Sequence, residues 1–131
     1  MDHHNLFVES YSSVDVGNQA EHDACIFLQK NGLRFVEQNY RFEKYGEIDL
    51  IMRDQKYLIF VEVKLRADNN YGDAIEMVTK AKQARIIRAA KHYLQEKRLT
   101  DKEFCRFDVV AISPQNQEEI TWIQDAFQVE Y

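Results

Sequence analysis

Apolar residues recur every three or four positions in two stretches of the chain, and elsewhere they alternate with polar residues or form short runs. The first helical stretch, "GNQAEHDACIFLQKNG", has Asn18 near its predicted N-cap and Gly32 as its C-terminal stop. The second predicts a long helix from about Thr79 to Lys97. The other stretches predict a strand and a loop at 33–46, a β-hairpin at 46–66, a buried strand at 105–112 and a short last strand at 120–123.

These elements follow the order α-β-β-β-α-β-β, which favours an α/β sandwich with a central mixed sheet flanked by helices. Polar residues at 65–74 and 113–119 predict the loops between the later elements. Residues 1–16 show no clear period, so we expect a partly ordered arm there and a single domain over 17–131.

The hairpin sequence "GEIDLIMRDQKYLIFVEVKLR" has its loop either at Gln55-Lys56 or over the four residues 54–57. Both loops give the same register, in which Asp49 lies opposite Glu62 and Glu47 lies opposite Lys64. The other face of the hairpin is predicted to be core, and it carries Ile48, Leu50, Met52, Ile59, Val61 and Val63.

The pairing of Asp49 with Glu62 is unfavourable in itself, because like charges directly opposite each other destabilise a sheet. A bound divalent cation removes that cost, since Mg²⁺ and Mn²⁺ prefer hard oxygen ligands. Lys64 projects from the same face, where it could hold an attacking water or stabilise negative charge on a phosphorane. The alternative is a solvated end of the sheet with a Glu47–Lys64 ion pair.

A further acid, Glu21, lies in the apolar stripe of the first helix with Ala24, Cys25 and Leu28. An acid in such a stripe is costly unless it meets a partner, and the carboxylate–metal cluster could be that partner. The alternative is a surface acid near the helix N-terminus, where negative charge is favourable.

The overall charge of −5 argues weakly against a protein coated in nucleic acid, but the charge is unevenly distributed. Residues 80–98 contain seven Lys or Arg and one acid. We therefore predict either a phosphate-binding face on the long helix or an ordinary solvated one. The residues of that face are Lys80, Arg85, Arg88 and Lys91, and Lys82 and Gln83 could reach the carboxylates.

The sequence contains no clear signal peptide, membrane span, disulfide framework or zinc motif. The start "MDHHNLFVES" lacks a signal-peptide core, and no stretch is long and apolar enough for a membrane span. Cys25 and Cys105 form neither a CxxC motif nor a disulfide framework, and the four histidines show no ligand spacing. We expect a reduced, cytoplasmic protein that does not associate with membranes.

The segment "Glu62-Val63-Lys64", which follows Asp49 after twelve residues, resembles the core of the PD-(D/E)xK nuclease superfamily. Ile48 stands where that pattern usually has proline. More closely, "GEIDLI", "FVEVKLR", "GDAIEMVTKAKQARIIRAAKHYL", "RFDVVAI" and "DAF" resemble the YraN family of small bacterial proteins, from about Gly17 to Phe127.

This resemblance implies a restriction-endonuclease-like fold related to archaeal Holliday-junction resolvases. It also implies that Asp49 and Glu62 are metal ligands, that Lys64 is the catalytic lysine and that Glu21 is the helix carboxylate of the site. Lys82 and Gln83 resemble a family-typical pair. The family has no settled substrate, so the resemblance indicates a chemistry more firmly than a biological role.

Taken together, the residues and the resemblance predict a Mg²⁺- or Mn²⁺-dependent endonuclease on DNA rather than RNA, which selects nucleic-acid structure rather than sequence. One alternative is a non-catalytic nucleic-acid-binding module of the same fold. Another is an interaction scaffold whose basic helix docks an acidic protein. The sequence leaves the oligomeric state open, with a homodimer as one possibility.

Overall fold

The structure, a computed structural model, describes residues 19–65, 76, 78–113 and 119–129. The predicted arm at 1–16, the N-cap Asn18, most of the loop after the hairpin and most of the turn before the last strand lie outside the described residues. In the described part of the chain, no helix is both long enough and apolar enough to cross a membrane.

The described residues form two helices and five strands, in the predicted order α-β-β-β-α-β-β. They are α1 (Gln19–Lys30), β1 (Arg34–Phe42), β2 (Gly46–Arg53), β3 (Tyr57–Leu65), α2 (Lys80–Glu96), β4 (Phe104–Ile112) and β5 (Ile120–Phe127). The bounds agree closely with the predicted ones except for β5, which continues four residues beyond its predicted end.

The strands form one sheet in the spatial order β1-β2-β3-β4-β5. Among the five described strands, β3 and β4 form the one parallel pair, and their connection contains α2, as a parallel pair requires a crossover. The other pairs are antiparallel. The result is the predicted α/β sandwich with a mixed sheet and flanking helices, consistent with the restriction-endonuclease-like fold.

The helix ends form where the sequence predicts them. Gly32 has a φ of 99°, and the N–H groups of Gly32 and Leu33 donate to the carbonyls of Gln29 and Leu28, which is a Schellman motif. At the start of α2, the side chain of Thr79 accepts a hydrogen bond from the Lys82 N–H at 3.1 Å.

The hairpin has the predicted register, since Arg53 pairs with Leu58 and the pairing continues to Leu50 with Val61. Asp54 orders the turn, because its Oδ1 atom accepts hydrogen bonds from the N–H groups of Lys56 and Tyr57. Residues 54–57 lie beyond the last pair of the hairpin, Arg53 with Leu58, and Gln55 and Lys56 are at the tip of the turn.

Both faces of the sheet are buried, one against each helix. The α1 side contains Leu50, Met52, Ile59 and Val61, as predicted. Ile48 is a fully buried core residue, as predicted, but it belongs to the α2-side cluster and not to the predicted face. Ile48 lies beyond the last β2–β3 pair, where strict alternation no longer applies.

Gly46 fixes the start of β2 against α2. A Cβ atom on Gly46 would overlap the backbone carbonyl of Arg85 and lie 3.2 Å from the Cβ atom of Ala89. Only glycine permits this close backbone approach. The contact sets the position of α2 relative to the strand that carries Asp49.

Candidate functional site

Asp49, Glu62 and Lys64 converge just beyond the paired part of the hairpin, as the sequence predicts. Asp49 and Glu62 each lie one residue past the last pair, which is Leu50 with Val61. Beyond that pair, the Oδ2 atom of Asp49 accepts a hydrogen bond from the Val63 N–H at 2.8 Å. The Asp49 side chain therefore lies in the space between the two strands.

Glu62 is the most enclosed member of this cluster, with 4% of its surface exposed. Its Oε2 atom lies 3.6 Å from the Lys64 Nζ atom and 3.7 Å from the Lys82 Nζ atom. Its Oε1 atom is buried and has no hydrogen-bond partner among the described residues. An unsatisfied buried carboxylate oxygen is costly, so this atom is available to a ligand.

Burial raises the pKa of Glu62 to about 7, and the neighbouring Asp49 carboxylate raises it further while Lys82 and Lys64 oppose the shift. Burial also raises the pKa of Asp49, against the lowering effect of the Val63 hydrogen bond. Both carboxyl groups therefore ionise less readily than usual, although the nearby lysines partly compensate their negative charge. Perturbed acids in one place mark a candidate functional site.

The carboxylate pair fits a hard divalent cation. Mg²⁺ usually keeps several waters and is held in proteins by one or two carboxylates. Asp49 and Glu62 could supply them, and the unsatisfied Oε1 atom of Glu62 is the observation that favours this fit.

The predicted third carboxylate is Glu21, on α1. Glu21 is 6% exposed and lies on the buried stripe of α1 with Ala24, Cys25 and Leu28, as predicted. No three His, Cys, Asp or Glu side chains in the described ranges are grouped so that they could hold a metal ion. A role for Glu21 in metal binding therefore stays a prediction.

The Glu47–Lys64 ion pair of the alternative interpretation does not form. Glu47 is paired across β1 and β2 with Arg41, and its Oε1 atom lies 3.6 Å from a guanidinium nitrogen. Lys64 instead faces Glu62 on its own strand, because residues two apart on a strand project from the same face.

The basic helix divides into groups with different surroundings. Lys82 reaches Glu62, whereas Gln83 donates to the Val78 carbonyl at 3.0 Å, at the start of its own helix. Arg85 donates to the Lys44 carbonyl at 3.5 Å, in the β1–β2 turn. The remaining members of the predicted face are exposed, and they are Lys80, Arg88 and Lys91.

Sequence reasoning missed a buried carboxylate, Asp108, which is fully enclosed in β4. It accepts hydrogen bonds from the Arg106 guanidinium, from the Trp122 indole N–H at 2.9 Å and from the Asp125 backbone N–H at 2.9 Å. Arg106 and Asp108 are two residues apart on one strand, which is the signal that could have predicted the pair. Because its acceptors are occupied, Asp108 holds β4 to β5 and is not a candidate ligand.

Comparison with known proteins identifies the chain at the level of family. Residues 20–112 match the model of the uncharacterised protein family UPF0102. UPF0102 proteins from Coxiella burnetii and Nitrosococcus oceani are each 50% identical to the chain, over 88% of it and 94% of their own length. One from Shewanella oneidensis is 50% identical over 86% of the chain and 98% of its own length.

Proposed function

The chain belongs to the UPF0102 family, which confirms the predicted resemblance to the YraN proteins, and from that basis we propose that it is a Mg²⁺-dependent endonuclease acting on DNA. The observation that carries this proposal is the convergence of Asp49, Glu62 and Lys64 around a buried carboxylate oxygen with no hydrogen-bond partner among the described residues. A metal-dependent hydrolytic site for phosphodiesters combines ligands for a metal ion with a cationic group beside the reacting phosphate.

Asp49 and Glu62 would hold Mg²⁺, or Mn²⁺ in its place. The bound cation would polarise a phosphate oxygen and lower the pKa of a bound water. Val63 fixes the orientation of the Asp49 carboxylate through its N–H, so one ligand is positioned before any substrate arrives.

Lys64 is the candidate catalytic lysine. Its side chain is 29% exposed and its ammonium group lies beside Glu62, so it can contact both the carboxylate and a phosphate arriving from solvent. There it would donate a hydrogen bond to the attacking water or to the phosphorane oxygens. Lys82, on the first turn of α2, contacts the same Glu62 oxygen and could act on the phosphate from the helix side.

The exposed cations of α2 would bind the DNA backbone. Lys80, Arg88 and Lys91 project into solvent, and backbone contacts of this kind position nucleic acid without reading bases. We therefore propose selectivity for nucleic-acid structure rather than for sequence.

A second candidate function is a nucleic-acid-binding module without turnover. The observation that favours it is that Lys64 and Lys82 both lie within ion-pair distance of Glu62. The two ammonium groups therefore compensate the charge of Glu62 without a metal ion. In that case, the same residues would serve stability rather than hydrolysis.

Cleavage of a panel of single-stranded, duplex, flapped and four-way DNA with and without Mg²⁺ or Mn²⁺ tests the proposal. We expect metal-dependent cleavage that Lys64→Ala abolishes while most of the DNA affinity remains. Lys56→Ala is the matched control, because Lys56 is an exposed lysine at the opposite end of the same hairpin. Binding without metal-dependent cleavage of any substrate would support the non-catalytic module instead.

A further inference from the structure

Three aromatic rings pack together between the β1–β2 turn and α2. The rings of Phe42 and His92 are stacked, with centroids 3.9 Å apart and planes 11° from parallel. Tyr45 packs against Phe42 at an angle, with centroids 5.5 Å apart and ring planes 48° from parallel. We call these three residues the aromatic stack.

The inner part of the aromatic stack is held in place. The Tyr40 hydroxyl is 2.6 Å from the His92 Nδ1 atom and donates to Glu96 at 3.0 Å, so the imidazole is tied to the core. Phe42 packs against the α2-side core cluster. The outer ring differs, because Tyr45 is 42% exposed. Because these rings are already ordered, binding a further flat group to the exposed ring costs little conformational entropy.

Cations border the exposed ring. Arg85 donates to the carbonyl of Lys44, the residue that precedes Tyr45, and both cationic side chains are exposed. Arg88 precedes His92 by four residues on α2, and residues at that spacing share a helix face. Glu43 is the acid of this turn. A stacking surface next to Lys44 and Arg85 matches a flat base attached to phosphates.

The aromatic stack and the carboxylate pair are at the same end of the sheet. Tyr45 precedes β2, and Asp49 follows it by four residues, which corresponds to about 13 Å along a strand. Arg85 and Lys82 are one helical turn apart on α2, and they contact the β1–β2 turn and Glu62 respectively. A single strand of nucleic acid could therefore contact both places.

We propose that the aromatic stack binds an unpaired nucleobase of the substrate, which stacks on the exposed face of Tyr45. This inference rests on the proposed function for the class of ligand, and it adds a requirement for single-stranded character near the cleaved phosphate. A fully paired duplex cannot present a base in this way without unstacking it, so we expect single strands, flaps or junctions to bind better than blunt duplex.

The test is the affinity for fluorescein-labelled oligonucleotides in metal-free buffer at low salt. A short mixed-sequence single strand, the blunt duplex of that strand and an abasic strand of the same length serve as probes. We expect Tyr45→Ala to weaken binding of the single strand roughly tenfold, because the substitution removes the ring on which the base stacks. Tyr45→Phe should retain the affinity because it keeps the ring.

The matched control is Phe104→Ala. Phe104 is 66% exposed and lies near a cation, Lys56, but at the opposite end of the sheet. This substitution should leave binding unchanged. The abasic strand should bind wild type and Tyr45→Ala equally, because it keeps the phosphates and lacks the base that stacks.

The outcomes separate this inference from the proposed function. If Tyr45→Ala binds the single strand as tightly as wild type, or if wild type binds no single strand, base stacking is overturned whatever the cleavage assay gives. If the Tyr45 effect is found but no substrate is cleaved with Mg²⁺ or Mn²⁺, base stacking stands and the endonuclease proposal fails.

Discussion

Asp49 combines two properties that substitution can separate. Its charge adds to the repulsion at Glu62, while its Oδ2 atom satisfies the backbone N–H of Val63. The first property favours a bound metal ion, and the second stabilises the fold whether or not a metal ion is bound. A substitution that removes only the charge should therefore raise the stability of the fold, and one that also removes the hydrogen-bond acceptor should lower it.

We expect Asp49→Asn to be as stable as wild type or more stable in metal-free buffer, because the amide oxygen can still accept from Val63 and the repulsion is gone. Asp49→Ala should lose about 1–3 kcal/mol of unfolding free energy, because it leaves that N–H without its acceptor. Both should lose the binding of Mn²⁺ and Mg²⁺ measured by calorimetry. A large loss of stability in Asp49→Asn would contradict this separation.

The pKa of Glu62 predicts how stability depends on pH. The group titrates at about 7 when folded and at its ordinary value of 4.5 when unfolded, so the folded protein binds more protons between these values. The free energy of unfolding should therefore fall as pH rises through this window, by roughly 2–3 kcal/mol.

Urea unfolding of metal-free protein at pH 5 and pH 8 measures this effect, and Glu62→Gln is the control because it cannot ionise. The difference between the two pH values should be smaller in Glu62→Gln than in wild type. Mg²⁺ should stabilise wild type at pH 8 and leave Glu62→Gln nearly unchanged. Equal pH dependence in the two proteins would show that Glu62 ionises normally.

At the scale of elements, the site depends on how α2 lies across β2. Lys82 meets Glu62 only because α2 approaches β2 closely, and the contact of Gly46 with the Arg85 backbone sets that approach. A strand and a helix that touch backbone to backbone leave no room for adjustment by side chains.

Gly46→Ala should therefore destabilise the protein by about 1–3 kcal/mol or more, because the added methyl group overlaps a carbonyl that cannot rotate away. Denaturant unfolding measures the loss. Ala84→Ser, on the exposed side of the same helix, should change stability little. A Gly46→Ala protein as stable as wild type would show that α2 can move away from β2 at low cost.

The sequence predicts the elements whose signals are local. The hairpin register follows from alternation and from the turn residue Asp54, and the ends of α1 and α2 follow from Gly32 and Thr79. The carboxylate pair follows from that register. Local patterns determine these features, so no distant contact was needed to predict them.

Features that depend on distant contacts could not be predicted in this way. Whether Lys82 or Gln83 reaches Glu62 depends on the rotation of α2 about its axis, which packing determines. The extension of β5 through polar residues depends on the hydrogen bond from Asp125 to Asp108, seventeen positions away. A periodic pattern contains no information about either contact.

At the scale of the whole molecule, the distribution of charge determines where nucleic acid can bind. The chain carries a net charge of −5, yet the outer side of α2 presents Lys80, Arg88 and Lys91 to solvent. A locally positive face on an acidic protein attracts a polyanion only at short range, within a Debye length of about 10 Å at moderate salt. Binding should therefore be confined to that face.

We expect DNA affinity to fall steeply with salt concentration, in proportion to the number of phosphates neutralised. Replacing both Arg88 and Lys91 by Glu should flatten that dependence and weaken binding to all sequences about equally. The control replaces Lys56 and Lys102 by Glu, which changes net charge by the same amount at exposed positions elsewhere. Equal effects of the two double variants would mean that net charge, not this face, governs binding.

The hydrogen bond from Val63 to Asp49 also makes the site observable by spectroscopy. An amide proton shared with a carboxylate changes its NMR chemical shift when that carboxylate gains a proton or a cation. The Val63 resonance of isotope-labelled protein should therefore titrate with both pH and Mg²⁺, while the amide of Ile59, paired within the hairpin, stays constant. One backbone signal would then report occupancy of the site directly, without any knowledge of the substrate.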